Sequence, residues 1–182
     1  MTKKKKRWIM VVAIFGGILV TIEFIIALSF PWNILYVGLM MEDDPPMPEI
    51  TYAEFPFEIV YEIEGEEATI KDIFVCEYDG IGSNEGSGKY IEWKGHIKGT
   101  GDERIFIVKL GNKNIYCSIG PPKYYMDDPD CSIPYVNPVF YIEGPLTGIH
   151  GLDEQELSEY GIKLISYKLS DPIDNSFGEG QE

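Results

Sequence analysis

The sequence predicts an N-terminal single transmembrane helix followed by a mainly-β domain, which we expect to be a β-sandwich or an open barrel of about seven to eight strands with one short helix near residues 153–161. Two patterns support this prediction: a long apolar segment follows the N-terminal lysines, and the remaining chain alternates apolar and polar residues between turn residues. Its 182 residues leave room for one modest domain beside the anchor, because a domain usually has about 100–150 residues.

The anchor is the segment 8–30, from Trp8 to Phe30, in which Glu23 is the one charged residue. At a rise of about 1.5 Å per residue, a helix of this length spans about 34 Å, which is enough to cross the lipid bilayer. A secretory signal peptide is the alternative, cleaved after Ser29, because Ala27-Leu28-Ser29 has small residues at suitable spacing. The apolar core exceeds the usual length of about 7–15 residues, which favours an uncleaved signal anchor.

The charges beside the anchor predict its orientation. Residues 1–7 contain Lys3 to Arg7, a basic cluster that the positive-inside rule keeps in the cytoplasm, so the C-terminal domain lies outside the cell membrane. Glu23 is a candidate for an intramembrane contact with a partner helix, since a carboxylate is unfavourable in lipid unless it is paired, neutral or close to the interface.

Composition divides the exported part into three segments. Residues 31–49 form a juxtamembrane segment and a stalk rich in proline and acid, residues 50–170 form the β-rich domain, and residues 171–182 are predicted to be a disordered acidic tail. Pro45, Pro46 and Pro48 are incompatible with a continuing helix.

Alternating runs predict the strands, and glycine-containing runs predict the turns between them. The predicted strands cover residues 57–63, 68–78, 90–97, 104–110, 114–119, 138–144 and 163–170. Glu64-Gly65-Glu66 is a predicted hairpin turn, and 79–88 a predicted loop. The predicted helix at 153–161 has Asp153 as its N-cap, Glu156 to complete a capping box and Gly161 at its end.

The charge of the exported part limits its partners. Residues 1–32 hold five of the 15 basic and one of the 30 acidic residues, so the remainder carries 10 basic against 29 acidic residues, a net charge of −19. Such a surface repels phosphate backbones, which argues against binding nucleic acid. It favours solubility, or attraction to cations or to a basic partner.

The three cysteines form no zinc-binding pattern. Outside the cytoplasm a disulfide between Cys117 and Cys131 is allowed and leaves Cys76 over, while the alternative is that all three are buried small hydrophobic residues. Asp127, Asp128 and Asp130 are weak candidate ligands for a hard cation such as Ca²⁺, although their spacing matches no EF-hand.

No catalytic or cofactor-binding residue can be assigned. Neither G-x-S-x-G nor a complete phosphate-binding loop occurs, and the two histidines, His96 and His150, are expected to have structural or solvent-exposed positions. We therefore expect no cofactor and no enzymatic activity. The aromatic, proline-rich region is the candidate binding surface, with a core role as the alternative. Its aromatic residues are Tyr124, Tyr125, Tyr135, Phe140 and Tyr141.

The stretch ITYAEFPFEIVYEIEGEEATIKDIFVCEYDGIG, which follows the lysine-led anchor, resembles uncharacterised membrane-anchored extracytoplasmic proteins of Gram-positive, clostridia-like bacteria. The resemblance implies a location at the bacterial cell surface and no particular activity. Three hypotheses follow: a noncatalytic module that binds a protein or cell-envelope partner, a small subunit of a membrane protein complex, and an envelope hydrolase that uses carboxylates. The first has the best support.

Overall fold

The computed structural model describes residues 3–84, 86–145 and 148–178. The chain forms two compact units. One contains the N-terminal helix together with Ser83–Lys89, and the other runs from Asp44 to Gly82 and from Tyr90 onward. The second unit is the β-rich domain.

The N-terminal helix α1 (Lys3–Met41) is longer than the predicted span. Its part Lys5–Leu28 is long and apolar enough to cross a membrane, and its apolar side chains are exposed along the whole span. Residues 31–41, which belong to the predicted juxtamembrane segment, are helical and still mainly apolar. The helix ends immediately before the acidic and proline-rich residues 42–49, as expected.

The rest of the described chain contains ten strands and two short helices. In chain order they are β1 (Met47–Pro48), β2 (Tyr52–Ile63), β3 (Glu66–Asn84), β4 (Gly88–Ile97), β5 (Ile105–Leu110), β6 (Lys113–Ser118), α2 (Pro122–Tyr125), β7 (Val139–Gly144), β8 (Gly148–Leu152), α3 (Glu154–Glu159), β9 (Ile162–Lys168) and β10 (Phe177–Gly178).

The strands form two four-stranded sheets, with orders β4-β3-β2-β9 and β5-β6-β7-β8, and a small pair, β1-β10. The β2–β3 hairpin pairs Ile63 with Glu66 across a two-residue turn. Both turn residues, Glu64 (φ 52°) and Gly65 (φ 85°), are left-handed, as hairpin turns of this length require. The predicted turn is therefore confirmed.

The core is shared by the two sheets, as the predicted sandwich or open barrel requires. In β2, alternate residues from Phe55 to Tyr61 are buried, and Ile59 is fully enclosed. The second sheet contributes Ile115 and Ile142, which are equally enclosed and belong to the same cluster. The period of two that predicted the strands thus also identifies the buried face.

Helix α3 confirms the predicted capping box. Asp153 Oδ1 accepts a hydrogen bond from Glu156 N at 2.8 Å, and Glu156 Oε2 accepts one from Asp153 N at 3.0 Å. Gly161 follows the helix with φ 68°, which is the left-handed position that ends many helices.

The predicted loop at 79–88 is wrong in its first half, because β3 continues to Asn84. Gly82 in β3 allows a side chain of the neighbouring strand β4 to approach closely. A Cβ atom added to Gly82 would lie 2.7 Å from the ring of Tyr90. Helix α2 and strands β1, β8 and β10 were not predicted.

The predicted disordered tail is wrong for residues 171–178, which pack against the domain. Asn175 is only 7% exposed, and its amide bonds both backbone groups of Ile50, at 3.0 and 3.1 Å, and the carbonyl of Met126 at 3.1 Å. Strand β10 then pairs with β1, which lies within the predicted stalk. A buried amide with three backbone partners holds this segment in place. Residues 179–182 of the predicted tail lie outside the described residues.

Candidate functional site

The β-rich domain contains an open groove of about 780 Å³. It runs past the edge strand β4, the turn that leads into α2, and the irregular segment 133–137. Its lining is mainly apolar with charged residues among it. The lining residues are Phe74, Asp79, Glu92, Trp93, Lys94, Gly95, Glu103, Arg104, Ser118, Gly120, Pro121, Pro122, Ile133, Tyr135, Val136, Asn137, Val139, Tyr141 and Ile149.

Strand β4 lines one side of the groove. Among the described residues it is the edge strand of its sheet. The N–H of Lys98 donates to Ile73 O of β3 at 2.9 Å, whereas the N–H of Ile97 points the other way, to Asp102 O at 2.8 Å. Because backbone direction alternates along a strand, Trp93 and Gly95 direct their N–H and C=O groups away from β3. The groove therefore borders the side of the edge strand that faces away from β3, where both Trp93 and Gly95 are buried.

The segment 133–137 also lines the groove. Val136 packs close to Gly120, where an added Cβ would lie 2.7 Å from Val136 Cγ1, and Gly120 has φ 114°. The hydroxyl of Tyr167 donates to Asn137 Oδ1 at 2.7 Å. Immediately before these two attachments, Tyr135 is 66% exposed and presents an aromatic ring to solvent at the groove.

The charges around the groove are unbalanced. The exposed carboxylates of Asp79, Glu92 and Glu103 have no ion pair or side-chain hydrogen bond with any residue that the structure describes. Arg104 is already engaged, since its guanidinium lies 3.7 Å from Glu143 Oε2 and 4.8 Å from the centre of the Tyr116 ring. The exposed Lys94 is the other basic residue in the lining, which therefore contains three acidic and two basic residues.

The five aromatic residues singled out in the sequence have different positions. Tyr125 and Phe140 are in the core, and Tyr124 packs against that core, so the core interpretation is confirmed for these three. Tyr135 and Tyr141 line the groove, as the binding interpretation requires. Sequence reasoning missed the part of β4 that borders the groove, because no local pattern identifies the edge strand of a sheet.

The three candidate metal ligands do not form a ligand set. Asp128 is 3% exposed, and its two oxygens accept hydrogen bonds from Trp93 Nε1 at 2.7 Å and from the backbone N–H of Asp130 at 2.8 Å. Asp127 and Asp130 are exposed. Within the described residues no group of three or more His, Cys, Asp or Glu side chains is arranged to hold a metal ion. Asp128 therefore has a structural role in this fold.

The two histidines lie outside the groove lining. His96 Nδ1 is 3.5 Å from Glu77 Oε1 on the sheet face opposite Trp93, and His150 is exposed in β8.

The possible disulfide between Cys117 and Cys131 is not formed, and all three cysteines are free. Cys117 points into the core from β6, whereas Cys131 is only half-buried in the segment after α2. Burial raises the pKa of the Cys76 and Cys117 thiols to about 12. Both thiols are therefore neutral at ordinary pH and packed as small hydrophobic residues.

We expect thiol reagents to distinguish Cys131 from the two buried cysteines. At pH 8 a maleimide should label Cys131 in the folded full-length protein, and label all three cysteines after unfolding, because the thiolate is the reactive form and needs access. Mass spectrometry of digested samples measures each site. Rapid labelling of Cys117 in the folded protein, or a Cys117–Cys131 bond under nonreducing conditions, would contradict this arrangement.

Comparisons of the chain with protein-family models, curated proteins and solved structures found no match.

Proposed function

We propose that this chain is a single-pass membrane protein that presents an acidic, noncatalytic binding domain outside the cytoplasm. The domain would bind a protein or cell-envelope partner through the groove between β4 and the segment 133–137. The groove itself carries the proposal, because it combines an exposed aromatic ring, apolar walls and charged residues on a folded scaffold. The resemblance to membrane-anchored proteins of Gram-positive bacteria agrees with a location at the cell membrane.

The sequence supports this orientation. Lys3 to Arg7 form the first residues of helix α1, which is long enough to span a membrane, while the acids Glu42, Asp43 and Asp44 follow its end. The positive-inside rule assigns the basic end to the cytoplasm and the β-rich domain to the outside.

The lining favours binding over hydrolysis. The described lining residues include no histidine or cysteine, and the carboxylates of Asp79, Glu92 and Glu103 are all exposed to water, unlike the buried acid that proton donation by a carboxyl group requires. Exposed tyrosine beside irregular, proline-containing backbone is typical of recognition surfaces.

A site-specific crosslinking experiment tests this proposal. A photoreactive amino acid is placed at Tyr135 in the full-length protein, and separately at Ile165, an exposed apolar position outside the groove. After illumination of native membranes we expect a discrete adduct from position 135 and none from position 165. Equal yields at both positions, or no adduct at either, would contradict a binding role for the groove.

The length of helix α1 favours a second function, that of a small subunit in a membrane protein complex. From Trp8 to Met41 the helix is uncharged except for Glu23, and these 34 residues extend over about 51 Å. The hydrocarbon core is only about 30 Å thick, so tilting or a protein partner must cover the excess. Glu23 lies near the middle of this apolar length, where a carboxyl group is best satisfied by a polar group on another helix.

Substitution of Glu23 tests the subunit function. We expect Glu23→Leu to reduce copurification of an integral-membrane partner by about five- to thirtyfold, because an interhelical hydrogen bond contributes about 1–2 kcal/mol. Glu23→Gln is the matched control and should retain the partner, since the amide still forms hydrogen bonds. The measurement is quantitative recovery from native membranes. Equal recovery with leucine and glutamine would remove the support for this function.

A further inference from the structure

We propose that residues 32–41, from Trp32 to Met41, form a second membrane contact, which we call the apolar arm. The apolar arm bends away from the spanning part of helix α1 and lies along the outer surface of the lipid bilayer. This inference rests on the proposed single-pass membrane arrangement. It makes the bilayer surface a third cover for the excess length of α1, beside tilting and a protein partner.

The exposed surface of the apolar arm continues the surface of the spanning part. The membrane-spanning part ends at Leu28, and no charged residue occurs between Glu23 and Glu42. The exposed apolar side chains of the arm are Trp32, Ile34, Tyr36, Val37, Met40 and Met41. A helix that exposes so much apolar surface is unfavourable in water. Because this surface continues the one that already faces lipid, lipid is the partner that it fits.

A straight helix cannot place all of this surface in lipid. An apolar length of about 51 Å would need a tilt of about 54° to fit a hydrocarbon core of about 30 Å, whereas helix tilts in membranes reach only about 40°. At a tilt of 40°, about 12 Å of apolar helix stays outside the core. The excess therefore has to bend toward the bilayer surface if lipid is to cover it.

An untilted helix leaves the end of the apolar arm in water. With Trp32 at the level of the headgroups, Met41 would lie about 13 Å farther out, beyond a headgroup layer about 5–8 Å thick. An arm that lies along the surface keeps both residues at the membrane. The acids Glu42, Asp43 and Asp44 follow at once, and they return the chain to water.

Proline marks the position of the bend. Pro31 lies between the end of the spanning part at Leu28 and the start of the apolar arm. Proline has no backbone N–H, so the carbonyl of Ala27 loses its helical hydrogen bond and the helix bends most easily here.

Two aromatic residues of the apolar arm favour the bilayer surface over its interior. Trp32 and Tyr36 are four residues apart, so they are neighbours on one side of the helix. Tryptophan and tyrosine concentrate at the headgroup level, because each ring has an apolar body and a polar group. An arm parallel to the surface holds both rings at this level.

Tryptophan emission from purified full-length protein in phosphatidylcholine vesicles tests the inference. In a background of Trp8→Phe and Trp32→Phe, the variants Tyr36→Trp and Met40→Trp each add one reporter, while the buried Trp93 gives a constant signal. The lipid chains are brominated either near the headgroups or near their ends, and iodide is added to the water. Bromine quenches a reporter in lipid, and iodide quenches one in water.

We expect bromine near the headgroups to quench at least about half of the emission from positions 36 and 40, because a helix at the membrane surface lies only about 5–10 Å deep. Bromine near the chain ends, and iodide, should each quench these positions at least about threefold less.

Two matched reporters calibrate the measurement. Leu19→Trp lies in the spanning part and should be quenched mainly by bromine near the chain ends. Ile165→Trp replaces an exposed apolar residue of the β-rich domain and should be quenched by iodide alone.

Three results would overturn the apolar arm. Iodide quenching at positions 36 and 40 equal to that at 165 would show a stalk in water. Protection from both quenchers would show that protein covers the segment, and stronger quenching by bromine near the chain ends would place it inside the core. In each case lipid quenching at position 19 still supports the membrane span. No lipid quenching at position 19 would contradict the span as well.

Discussion

Replacing Asp128 by alanine is expected to destabilise the β-rich domain by about 3 kcal/mol. The buried carboxylate accepts hydrogen bonds from Trp93 Nε1 and from Asp130 N, at 2.7 and 2.8 Å, and both donors lose their partner in the variant. The loss is large because a buried donor without an acceptor keeps its full desolvation cost. Urea unfolding of the full-length protein in detergent, followed by near-ultraviolet circular dichroism, measures the change.

Two controls separate this bond network from simple loss of charge. Asp128→Asn keeps one carbonyl oxygen as an acceptor and should cost about half as much. Asp127→Asn removes the neighbouring exposed charge at a left-handed position that asparagine tolerates, and should change the free energy of unfolding by less than about 0.5 kcal/mol. Stability that is unchanged in Asp128→Ala, or equal losses at both positions, would show that the buried network is not formed.

Tyr125→Ala is expected to destabilise the domain by about 3–5 kcal/mol, which is the usual cost of removing a large buried aromatic side chain. Tyr125 is 1% exposed, and its ring centre lies 4.9 Å from that of Phe55 and 5.4 Å from that of Phe74. Its hydroxyl also donates to Ile119 O at 2.6 Å. The substitution therefore removes core volume and leaves a buried carbonyl without its partner.

The same unfolding measurement separates the contribution of the Tyr125 ring from that of its hydrogen bond. Tyr125→Phe keeps the ring and loses the hydrogen bond, so it should cost only about 1–2 kcal/mol. Tyr135→Ala makes the same truncation at a mostly exposed tyrosine and should cost less than about 0.5 kcal/mol. If Tyr135→Ala destabilises as much as Tyr125→Ala, Tyr135 belongs to the core and is unavailable for a ligand.

Tyr125 and Tyr135 illustrate what the sequence could and could not predict. Alternation along β2 predicted both the strand and its buried face, and Asp153 with Glu156 predicted helix α3, because these signals depend on neighbours in the sequence. The different positions of Tyr125 and Tyr135 depend on how distant elements pack, and no local pattern distinguishes them. The position of the groove depends on which strand lies at the edge of a sheet. The side of the groove that β4 lines was therefore not predicted.

Polar residues explain one wrong prediction, the disordered tail, and the failure of one weak candidate, the cation site. A tail rich in acid, glycine and proline predicts disorder, yet Asn175 is buried with three backbone partners. Asp128 belongs to an acidic cluster that suggests a cation site, but its partner Trp93 lies 35 positions earlier in the sequence. Long-range hydrogen bonds of this kind leave no signature in one sequence.

In the proposed arrangement, a retained helix holds the β-rich domain outside the cell membrane. It is tested most directly by placing one epitope tag at each terminus of the full-length chain and probing intact cells with antibody and protease. We predict that the C-terminal tag is accessible, that the N-terminal tag is reached only after permeabilisation, and that the membrane-bound chain keeps residues 1–30. A protected C-terminal tag, or a soluble chain cleaved after Ser29, would contradict the account.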